Sequence, residues 1–212
     1  NTLSHHHIIM VTILSDQFSL VNSWINDLRN VDVQTDRMKF RRNMERIGEV
    51  AAFEISKGLE QKELEITTPL DKIKVREIAV QPVITTILRA GVPLFQGILN
   101  YFDKADCGFV AAYRKHDAND YFSIKQDYLT CPNIDGRPLI VADPMLATGA
   151  SLIEALKDLL NHGKPTQLHI VAAIASRIGV ETVQDAYPEA KIWIGALDEN
   201  LTSKGYITPG LG

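Results

Sequence analysis

A strand, an acidic residue, a loop of small residues and a helix follow one another along residues 139–151. The four apolar residues 139–142 predict a buried strand, and Asp143 stands at its carboxyl end. Small side chains and hydroxyls fill the loop, and Ser151 is expected to open the helix. Small side chains let backbone N–H groups approach an anion, and the N-terminus of a helix favours negative charge. The pattern therefore predicts a phosphate-binding loop.

Asp143 is expected to face the crevice at the carboxyl edge of the sheet, where α/β proteins bind their ligands. An ionised carboxylate can only accept hydrogen bonds, which suits the hydroxyl groups of a sugar. A simpler interpretation of the loop is a strand-to-helix connection in which Ser151 caps the helix. The two interpretations are compatible.

Residues 143–151 resemble the phosphoribosyl-diphosphate motif of type I phosphoribosyltransferases, in the uracil phosphoribosyltransferase form where the strand ends in Asp-Pro. Residues 87–91 (Ile-Leu-Arg-Ala-Gly) resemble the pyrophosphate loop of that family. Residues 205–212, here called the terminal block, resemble the start of its uracil-binding segment. The resemblance implies transfer of the 5-phosphoribosyl group from phosphoribosyl diphosphate to uracil, which gives UMP and pyrophosphate in pyrimidine salvage.

The resemblance also implies roles for single residues. Arg89 and Arg114 would bind the departing pyrophosphate, and Asp143 would hold the ribose hydroxyls, so these three are the candidate catalytic residues. A cis peptide bond is implied after Arg89. The residues implied to bind phosphoribosyl diphosphate are Arg89, Arg114, Asp143, Pro144, Met145, Leu146, Ala147, Thr148, Gly149, Ala150 and Ser151. From the sequence alone, Arg89 could instead end a strand and pair with an acid, and Arg114 could be a solvated loop residue.

Pro144 and Ala150 affect the expected site in different ways, since Pro144 fits the uracil form of the motif and Ala150 departs from it. Pro144 replaces the second acid of other type I enzymes. Mg²⁺ is therefore expected to be held mainly by phosphoribosyl diphosphate and water, with no metal ligand from the protein. Ala150 stands where the family has a second glycine, which requires a negative φ and a methyl group that points away from the phosphate.

Uracil is expected to bind backbone groups, which the resemblance places at Ile207 and Gly212. Backbone donors and acceptors can match the edge of a small planar base and reject bases that carry an exocyclic amino group. The family continues with Asp-Ala-Gly-Asp after this glycine, so residues 198–212 are expected to form a small hood that the sequence truncates. A purine-specific transferase is the closest enzymatic rival, and the terminal block favours uracil.

Predicted strands and helices alternate along the chain, which indicates an α/β fold with a parallel sheet flanked by helices, as in type I phosphoribosyltransferases. We expect one domain over residues 1–212, with an N-terminal arm and helix in residues 1–35. Residues 114–138 are long and polar for a connection, which favours a flexible, lid-like insertion that closes over substrate. The other predicted elements are helices over 20–28, 36–59, 91–102, 151–161 and 180–187 and strands over 78–80, 83–88, 108–113, 139–142, 168–175 and 191–197.

The 212 residues carry a net charge of −4, which gives no long-range attraction for nucleic acid or an anionic membrane. No apolar run reaches the roughly 20 residues of a membrane span. Cys107 and Cys131 are too few for a disulfide framework, and their spacing does not indicate a metal site. We expect a cytoplasmic homodimer or larger homo-oligomer with small-molecule substrates. The alternatives are a non-catalytic nucleotide-binding relative and an RNA-binding regulator on the same fold.

Overall fold

The computed structural model of the protein describes the backbone of residues 10–116 and 122–212 and the side chains of residues 10–111 and 128–212. Its strands are β1 (Val11–Ile13), β2 (Gln61–Thr67), β3 (Lys72–Ile78), β4 (Val83–Leu88), β5 (Asp106–His116), β6 (Phe122–Thr130), β7 (Pro138–Ala142), β8 (Met145–Leu146), β9 (Gln167–Ser176), β10 (Lys191–Asp198), β11 (Asn200–Leu201) and β12 (Ile207–Thr208). Its helices are α1 (Leu20–Arg29), α2 (Arg37–Ser56), α3 (Val92–Tyr101), α4 (Ala150–Leu159) and α5 (Arg177–Ala186), with a turn of 3₁₀ helix at Leu160–His162.

Within these residues, eight strands form one sheet in which β1, β10, β9, β7, β4, β5 and β6 are neighbours in that order, and β8 pairs with β9. Every pair in this sheet is parallel except β5 with β6. The carboxyl ends of β4, β7, β9 and β10 therefore meet at one edge of the sheet. The predicted α/β fold with a mostly parallel sheet is confirmed.

The central strands are buried because helices pack on both faces of the sheet. In β7, Ile140 belongs to the core that α2 and α3 share, whereas Leu139 and Val141 belong to the core of α4 and α5. This alternation follows from the two-residue period of a strand. It also explains why β7 is an unbroken apolar run in the sequence, since both of its faces must be apolar.

Helices α2 and α3 touch backbone to backbone, and this contact sets the position of the chain that precedes α3. A Cβ atom on Gly97 would lie 1.9 Å from the Glu45 carbonyl oxygen, and one on Gly48 would lie 2.3 Å from the Leu94 carbonyl oxygen. Only glycine fits at either position. Because α3 begins directly after residues 87–91, its close packing on α2 anchors the predicted pyrophosphate loop.

The helices agree with the predictions to within a few residues. Helix α2 was expected from residue 36 and begins at Arg37, because the Asp36 side chain caps it by accepting from the Lys39 N–H. Across the described residues, none of the helices combines the length and apolar character that a membrane crossing requires.

Two edges of the fold differ from the predictions. The strand expected over residues 78–80 is wrong, since only Ile78 is in a strand and it ends β3, which pairs with β2 in a separate hairpin. Both strands are mostly exposed, yet they alternate apolar and polar residues with the two-residue period of a strand, as in Ile73 and Val75, and the prediction missed this signal. Strand β1 lies in the predicted N-terminal arm and pairs with β10 at the edge of the sheet.

The predicted insertion, residues 114–138, is more regular than a loop. Strand β5 continues to His116, and β6 pairs with it antiparallel over Phe122–Thr130. This strand pair was not predicted because the segment is polar and contains no continuous apolar run. Residues 117–121 lie outside the described part of the chain, so closure of a lid over substrate stays a prediction.

A chain of hydrogen-bonded polar groups, with His169 buried at its centre, lies near the amino ends of β9 and β10. The Trp193 indole N–H donates to Nδ1 of His169 at 3.1 Å, and Nε2 of His169 lies 2.8 Å from Oε1 of Gln167. Since an indole nitrogen can only donate, Nδ1 accepts and Nε2 carries the proton. Gln167 then donates to the Gly58 carbonyl oxygen. Burial, with a smaller effect from nearby Lys191, lowers the pKa of His169 to about 4.

This depressed pKa predicts a loss of stability in acid. The unfolded chain binds a proton at His169 below about pH 6.5, whereas the folded protein resists it until about pH 4. The free energy of unfolding should therefore fall across that window, by up to about 1.4 kcal/mol per pH unit from this group. Urea unfolding at pH 7.0, 5.5 and 4.5 should show a shallower decline in His169→Gln than in the parent protein. Equal declines of the free energy of unfolding in the two proteins would contradict the lowered pKa of His169.

Candidate active site

A cavity of about 180 Å³ lies at the carboxyl edge of the sheet, where two of the three predicted blocks meet. Its lining residues are Ile87, Leu88, Arg89, Ala90, Asp143, Pro144, Met145, Leu146, Ala147, Thr148, Gly149, Ser151 and Leu152. The structure therefore brings Arg89 together with Asp143 and the loop that follows it. Ala150 is the one residue of the predicted loop that does not line the cavity, and it is exposed.

Backbone bonds to β9 fix the chain on both sides of Asp143. The N–H of Asp143 donates to the Val171 carbonyl at 2.9 Å, and the Pro144 carbonyl accepts from the N–H groups of Ala173 and Ile174 at 3.0 and 3.1 Å. The carboxyl group is held at the wall of the cavity. Burial raises its pKa to about 7, although a hydrogen bond from the Met145 N–H acts in the opposite direction. Asp143 can therefore gain or lose a proton near neutral pH.

The loop turns into helix α4 at Gly149, which has a φ of 83° and occupies the N-cap position. A Cβ atom there would lie 3.2 Å from Cγ2 of Val183, so the backbone conformation and the space both favour glycine. The predicted cap by Ser151 is wrong: Ser151 is the second residue of the helix, and the N-cap makes no side-chain hydrogen bond. An uncapped helix start leaves N–H groups of the first turn to bind an anion.

The backbone of Ala150 meets the first requirement that its methyl group imposes, which is a negative φ. It is the first residue of α4, where helical φ is negative, and its N–H donates to Oγ1 of Thr148 at 3.3 Å. The extra methyl group is therefore compatible with the backbone of the loop. Glycine is needed at Gly149 instead.

Arg89 lies exposed at the end of β4. It forms no ion pair with any side chain that the structure describes, so the alternative of a strand-ending arginine paired with an acid is not what the structure shows. The cis peptide bond joins Leu88 to Arg89 and so lies before the arginine, one bond earlier than predicted. The guanidinium is thus a cation at the cavity wall with no internal partner among these residues.

Arg114 can be placed only through its backbone, since its side chain lies outside the described residues. It belongs to β5 and pairs with Ile124 of β6. Leu88, the last residue of β4, pairs with Ala111, so β5 carries Arg114 beyond the end of β4 on the side of the cavity. It is therefore in a strand and not in a loop, and its role in binding pyrophosphate stays a prediction.

The terminal block lies against the phosphate-binding loop. A Cβ atom on Gly205 would lie 3.7 Å from Cγ2 of Thr148. Ile207 pairs with Leu201 in the short ladder of β12 and β11, and its side chain is buried in the core. Gly212 has a φ of 101°, and a Cβ atom there would meet no described atom within 4 Å.

Sequence analysis missed buried polar residues that hold the loops of the site. Ser176, the last residue of β9, donates to the Ala147 carbonyl and accepts from the N–H of Gly179 at 2.9 Å. Because the C=O and the following N–H of a trans peptide point in opposite directions, this bond directs the Thr148 N–H away from Ser176. Serine is a preferred N-cap and Ser176 directly precedes α5, but the helix was predicted only from residue 180, which left Ser176 without a predicted role.

The cavity offers little for direct metal binding. Within the described part of the chain, Asp143 is the one carboxylate that lines it. Among the side chains that the structure describes, no three His, Cys, Asp or Glu residues group into a metal site. Binding of Mg²⁺ through the diphosphate of a substrate and water stays a prediction.

Comparison with known proteins decides the family. The family model for uracil phosphoribosyltransferase matches residues 15–212. The chain belongs to the uracil phosphoribosyltransferase family. Its relatives include the uracil phosphoribosyltransferase of Porphyromonas gingivalis, which is 44% identical over 200 residues that cover 94% of this chain and 93% of the relative. That of Thermococcus gammatolerans is 38% identical over 186 residues, 85% of this chain and 81% of the relative. The family inferred from the three sequence blocks is confirmed.

Solved structures support the same fold. A protein from Aquifex aeolicus is similar with a TM-score of 0.86 and 31% identity, over 96% of this chain and 94% of that chain. A Thermus thermophilus protein is similar with a TM-score of 0.53 and 15% identity, over 77% of this chain and 88% of that chain, and this likeness concerns the fold alone.

The raised pKa of Asp143 predicts that this carboxyl group destabilises the protein at high pH. A group whose folded pKa lies near 7 and unfolded pKa near 3.8 favours the folded state in acid and loses that contribution as pH rises through about 7. Asp143→Asn removes the charge but keeps an acceptor for the Met145 N–H. At pH 8 we expect the variant to be more stable than the parent by about 1–2 kcal/mol, a value reduced for partial exposure of the group.

Denaturant unfolding of both proteins between pH 5 and 8 measures this difference. The gain in stability of Asp143→Asn should grow with pH and level off above about pH 7. A constant difference between the two proteins would contradict the raised pKa.

Proposed function

We propose that the protein transfers the 5-phosphoribosyl group of phosphoribosyl diphosphate to uracil and releases UMP and pyrophosphate, as a step of pyrimidine salvage. The observation that carries the proposal is the cavity in which Arg89, Asp143 and the loop of residues 147–151 meet at the carboxyl edge of the sheet. This arrangement occurs in a chain of the uracil phosphoribosyltransferase family. Each element of the cavity suits one part of the substrate.

The chemistry requires opposite charges to develop in the same small space. As the bond from the ribose carbon to pyrophosphate breaks, the sugar ring becomes positive and the leaving group becomes more negative. The guanidinium of Arg89, which forms no ion pair with a described side chain, is a cationic donor for the pyrophosphate oxygens. Arg114 supplies a second cation in this proposal, from the part of β5 that extends past β4.

The phosphate-binding loop holds the other end of the same substrate. The N–H groups at the start of α4 and the hydroxyls of Thr148 and Ser151 bind the 5′-phosphate. Asp143 accepts hydrogen bonds from the ribose hydroxyls, which only its ionised form can do on both oxygens. Because its pKa is about 7 before substrate binds, binding of the sugar shifts Asp143 toward the ionised state.

Uracil binds beside the loop, against the terminal block. In this proposal, the backbone groups of Ile207 and Gly212 form hydrogen bonds with the edge of the base. The position of Gly205 next to Thr148 supports it, because a nitrogen of the base must lie near the ribose carbon to form a bond to it. As this bond forms, the bond to pyrophosphate breaks and the base nitrogen gives up its proton. Mg²⁺ bound to the diphosphate would neutralise part of the leaving group's charge.

Location and assembly belong to the same proposal. We place the protein in the cytoplasm as a homodimer or larger homo-oligomer that binds no nucleic acid and no membrane. The net charge of −4 supports this because it disfavours RNA and anionic lipid surfaces, and it argues against the RNA-binding alternative.

Loss of Arg89 tests the role of the cavity. Arg89→Ala should leave the fold intact and reduce turnover about 10²–10³-fold, since one preorganised donor to the leaving group is lost. The assay follows UMP formation from phosphoribosyl diphosphate and uracil, with cytosine and hypoxanthine as competing bases. Arg137→Ala is the matched control, because Arg137 precedes β7 at the opposite edge of the sheet and pairs with Asp106. Near-normal turnover by folded Arg89→Ala would contradict its role.

The terminal block should determine the choice of base through its backbone. Gly212→Val demands a positive φ that valine disfavours, so uracil turnover should be lost while phosphoribosyl diphosphate still binds. Ile207→Val removes one methylene from the core and should retain the preference for uracil, at a cost of about 1 kcal/mol in stability. Turnover with uracil and calorimetric titration with phosphoribosyl diphosphate measure the two effects. Equal uracil turnover by Gly212→Val and the parent would show that the base binds elsewhere.

A further inference from the structure

The last residues of β9 and β10 carry buried polar side chains at the edge of the sheet where the cavity lies. Ser176 and Asp198 pair with each other in the register of these strands. Their surfaces are 0% and 5% exposed. Ser176 bonds to the phosphate-binding loop, as described above, whereas Asp198 bonds to the terminal block. The two neighbouring strand ends therefore contact two different parts of the site.

Asp198 connects helix α1 to the terminal block. Its two carboxylate oxygens each accept a hydrogen bond from the Arg29 guanidinium, both at 2.8 Å. One of these oxygens also accepts from the backbone N–H of Gly210 at 2.9 Å. Arg29 in turn donates to the carbonyl oxygen of Gly210 at 3.1 Å. Both backbone groups of Gly210 are thus bound by this ion pair.

Gly210 lies between the two residues whose backbone is proposed to bind uracil. Its φ is 58°, and a Cβ atom there would lie 2.1 Å from the Ile207 carbonyl oxygen, so the chain makes a tight turn that requires glycine. Rotation of the Gly210 peptide groups would reorient the backbone on both sides. The ion pair prevents that rotation because it holds the N–H and the C=O at once.

A second contact holds the next residue of the block. Nε2 of Gln34 donates to the carbonyl oxygens of Leu28 and Leu211, both at 2.9 Å. Leu28 and Arg29 are the last two residues of α1. The end of this helix is therefore attached to Gly210 through Arg29 and to Leu211 through Gln34.

Stability alone is a poor reason for a buried ion pair. Removing two charged groups from water costs about as much as their attraction returns, so apolar side chains can replace such pairs with little loss. Burial by itself would raise the pKa of Asp198, but the Arg29 guanidinium and the Gly210 N–H outweigh it and hold the pKa below its ordinary value. Asp198 is consequently an ionised, acceptor-only group at neutral pH, and its bonds fix a direction in the backbone that apolar packing would not fix.

We propose that Arg29 and Asp198 are positioning residues for the base: they touch no substrate and hold the Gly210 turn so that the backbone of the terminal block can bind uracil. The inference rests on the proposed function for the identity of the base. It assigns to α1, at the other end of the chain, a role in the choice of base. It also separates the two substrates, since the described hydrogen bonds of the pair reach Gly210 and none of them reaches the phosphate-binding loop.

Steady-state kinetics of Asp198→Asn test this role. Asparagine keeps the size and one acceptor oxygen but loses the charge and the bidentate bond to Arg29. We expect the KM for uracil to rise about tenfold or more, as for loss of a hydrogen bond to a charged group. The KM for phosphoribosyl diphosphate should stay within about twofold of the parent value. Arg29→Lys should show a smaller rise for uracil, since lysine keeps the charge but cannot bond both partners in the same geometry.

Glu199→Gln is the matched control. Glu199 is the next residue along the chain and forms a similar bidentate pair with Arg177, at 2.6 and 2.7 Å, but both side chains are exposed. This pair makes no bond to the terminal block, so both KM values should remain at the parent level. Unchanged uracil KM in Asp198→Asn would overturn the inference, and so would equal rises in both KM values, which would indicate a general structural role.

Hydrogen exchange of the free protein gives a readout that does not depend on activity. In Asp198→Asn the amides of residues 205–212 should exchange faster than in the parent, while those of residues 147–151 should not change. If Asp198→Asn does not fold, Arg29→Lys takes its place in both measurements. A parent protein that makes no UMP would contradict the proposed function alone, whereas unchanged exchange in residues 205–212 would overturn the positioning role in either case.

Discussion

Parallel pairing of β4, β7, β9 and β10 is the constraint on which the rest of the site depends. Because these strands run in one direction, their carboxyl ends meet at one edge, and each end delivers a different polar group there. Arg89 follows β4, Asp143 follows β7, and Ser176 and Asp198 end β9 and β10. Residues far apart in the sequence therefore line or support one cavity. The apolar faces of the strands provide the rigidity, since helices bury both sides of the sheet.

The groups that meet at this edge have few hydrogen-bond partners within the described part of the protein. Burial raises the pKa of Asp143 to about 7, Arg89 is a cation without a described partner, and α4 begins without a side-chain cap. In the proposed function a sugar phosphate would supply the missing partners: ribose hydroxyls for the carboxylate, pyrophosphate for the guanidinium and phosphate oxygens for the helix start. Ser176 and the Arg29–Asp198 pair differ from these groups, because they already form hydrogen bonds within the protein.

The sequence allowed the sheet core and the phosphate-binding loop to be predicted, because buried parallel strands are continuous apolar runs and the loop follows one of them directly. Prediction failed where that signal was absent. The β2–β3 hairpin and β6 are polar strands, and the cap of α4 was assigned to Ser151 because the positive φ of Gly149 is not visible in a sequence. The Arg29–Asp198 pair joins residues 169 positions apart, and only the folded chain shows which arginine meets which acid. The resemblance placed the cis peptide bond after Arg89, whereas the structure has it before Arg89.

A crystal structure of the protein with uracil and a non-reactive analogue of phosphoribosyl diphosphate would test the central claim most directly. The account predicts the 5′-phosphate within hydrogen-bonding distance of the N–H groups of residues 148–151 and the ribose hydroxyls on Asp143. It predicts the diphosphate near Arg89 and uracil on the backbone of Ile207 and Gly212, with the bonds of Asp198 to Arg29 and Gly210 unchanged. Density for the phosphate or the base outside this cavity, with Asp143 free of the sugar, would contradict the claim that the carboxyl edge of the sheet is the active site.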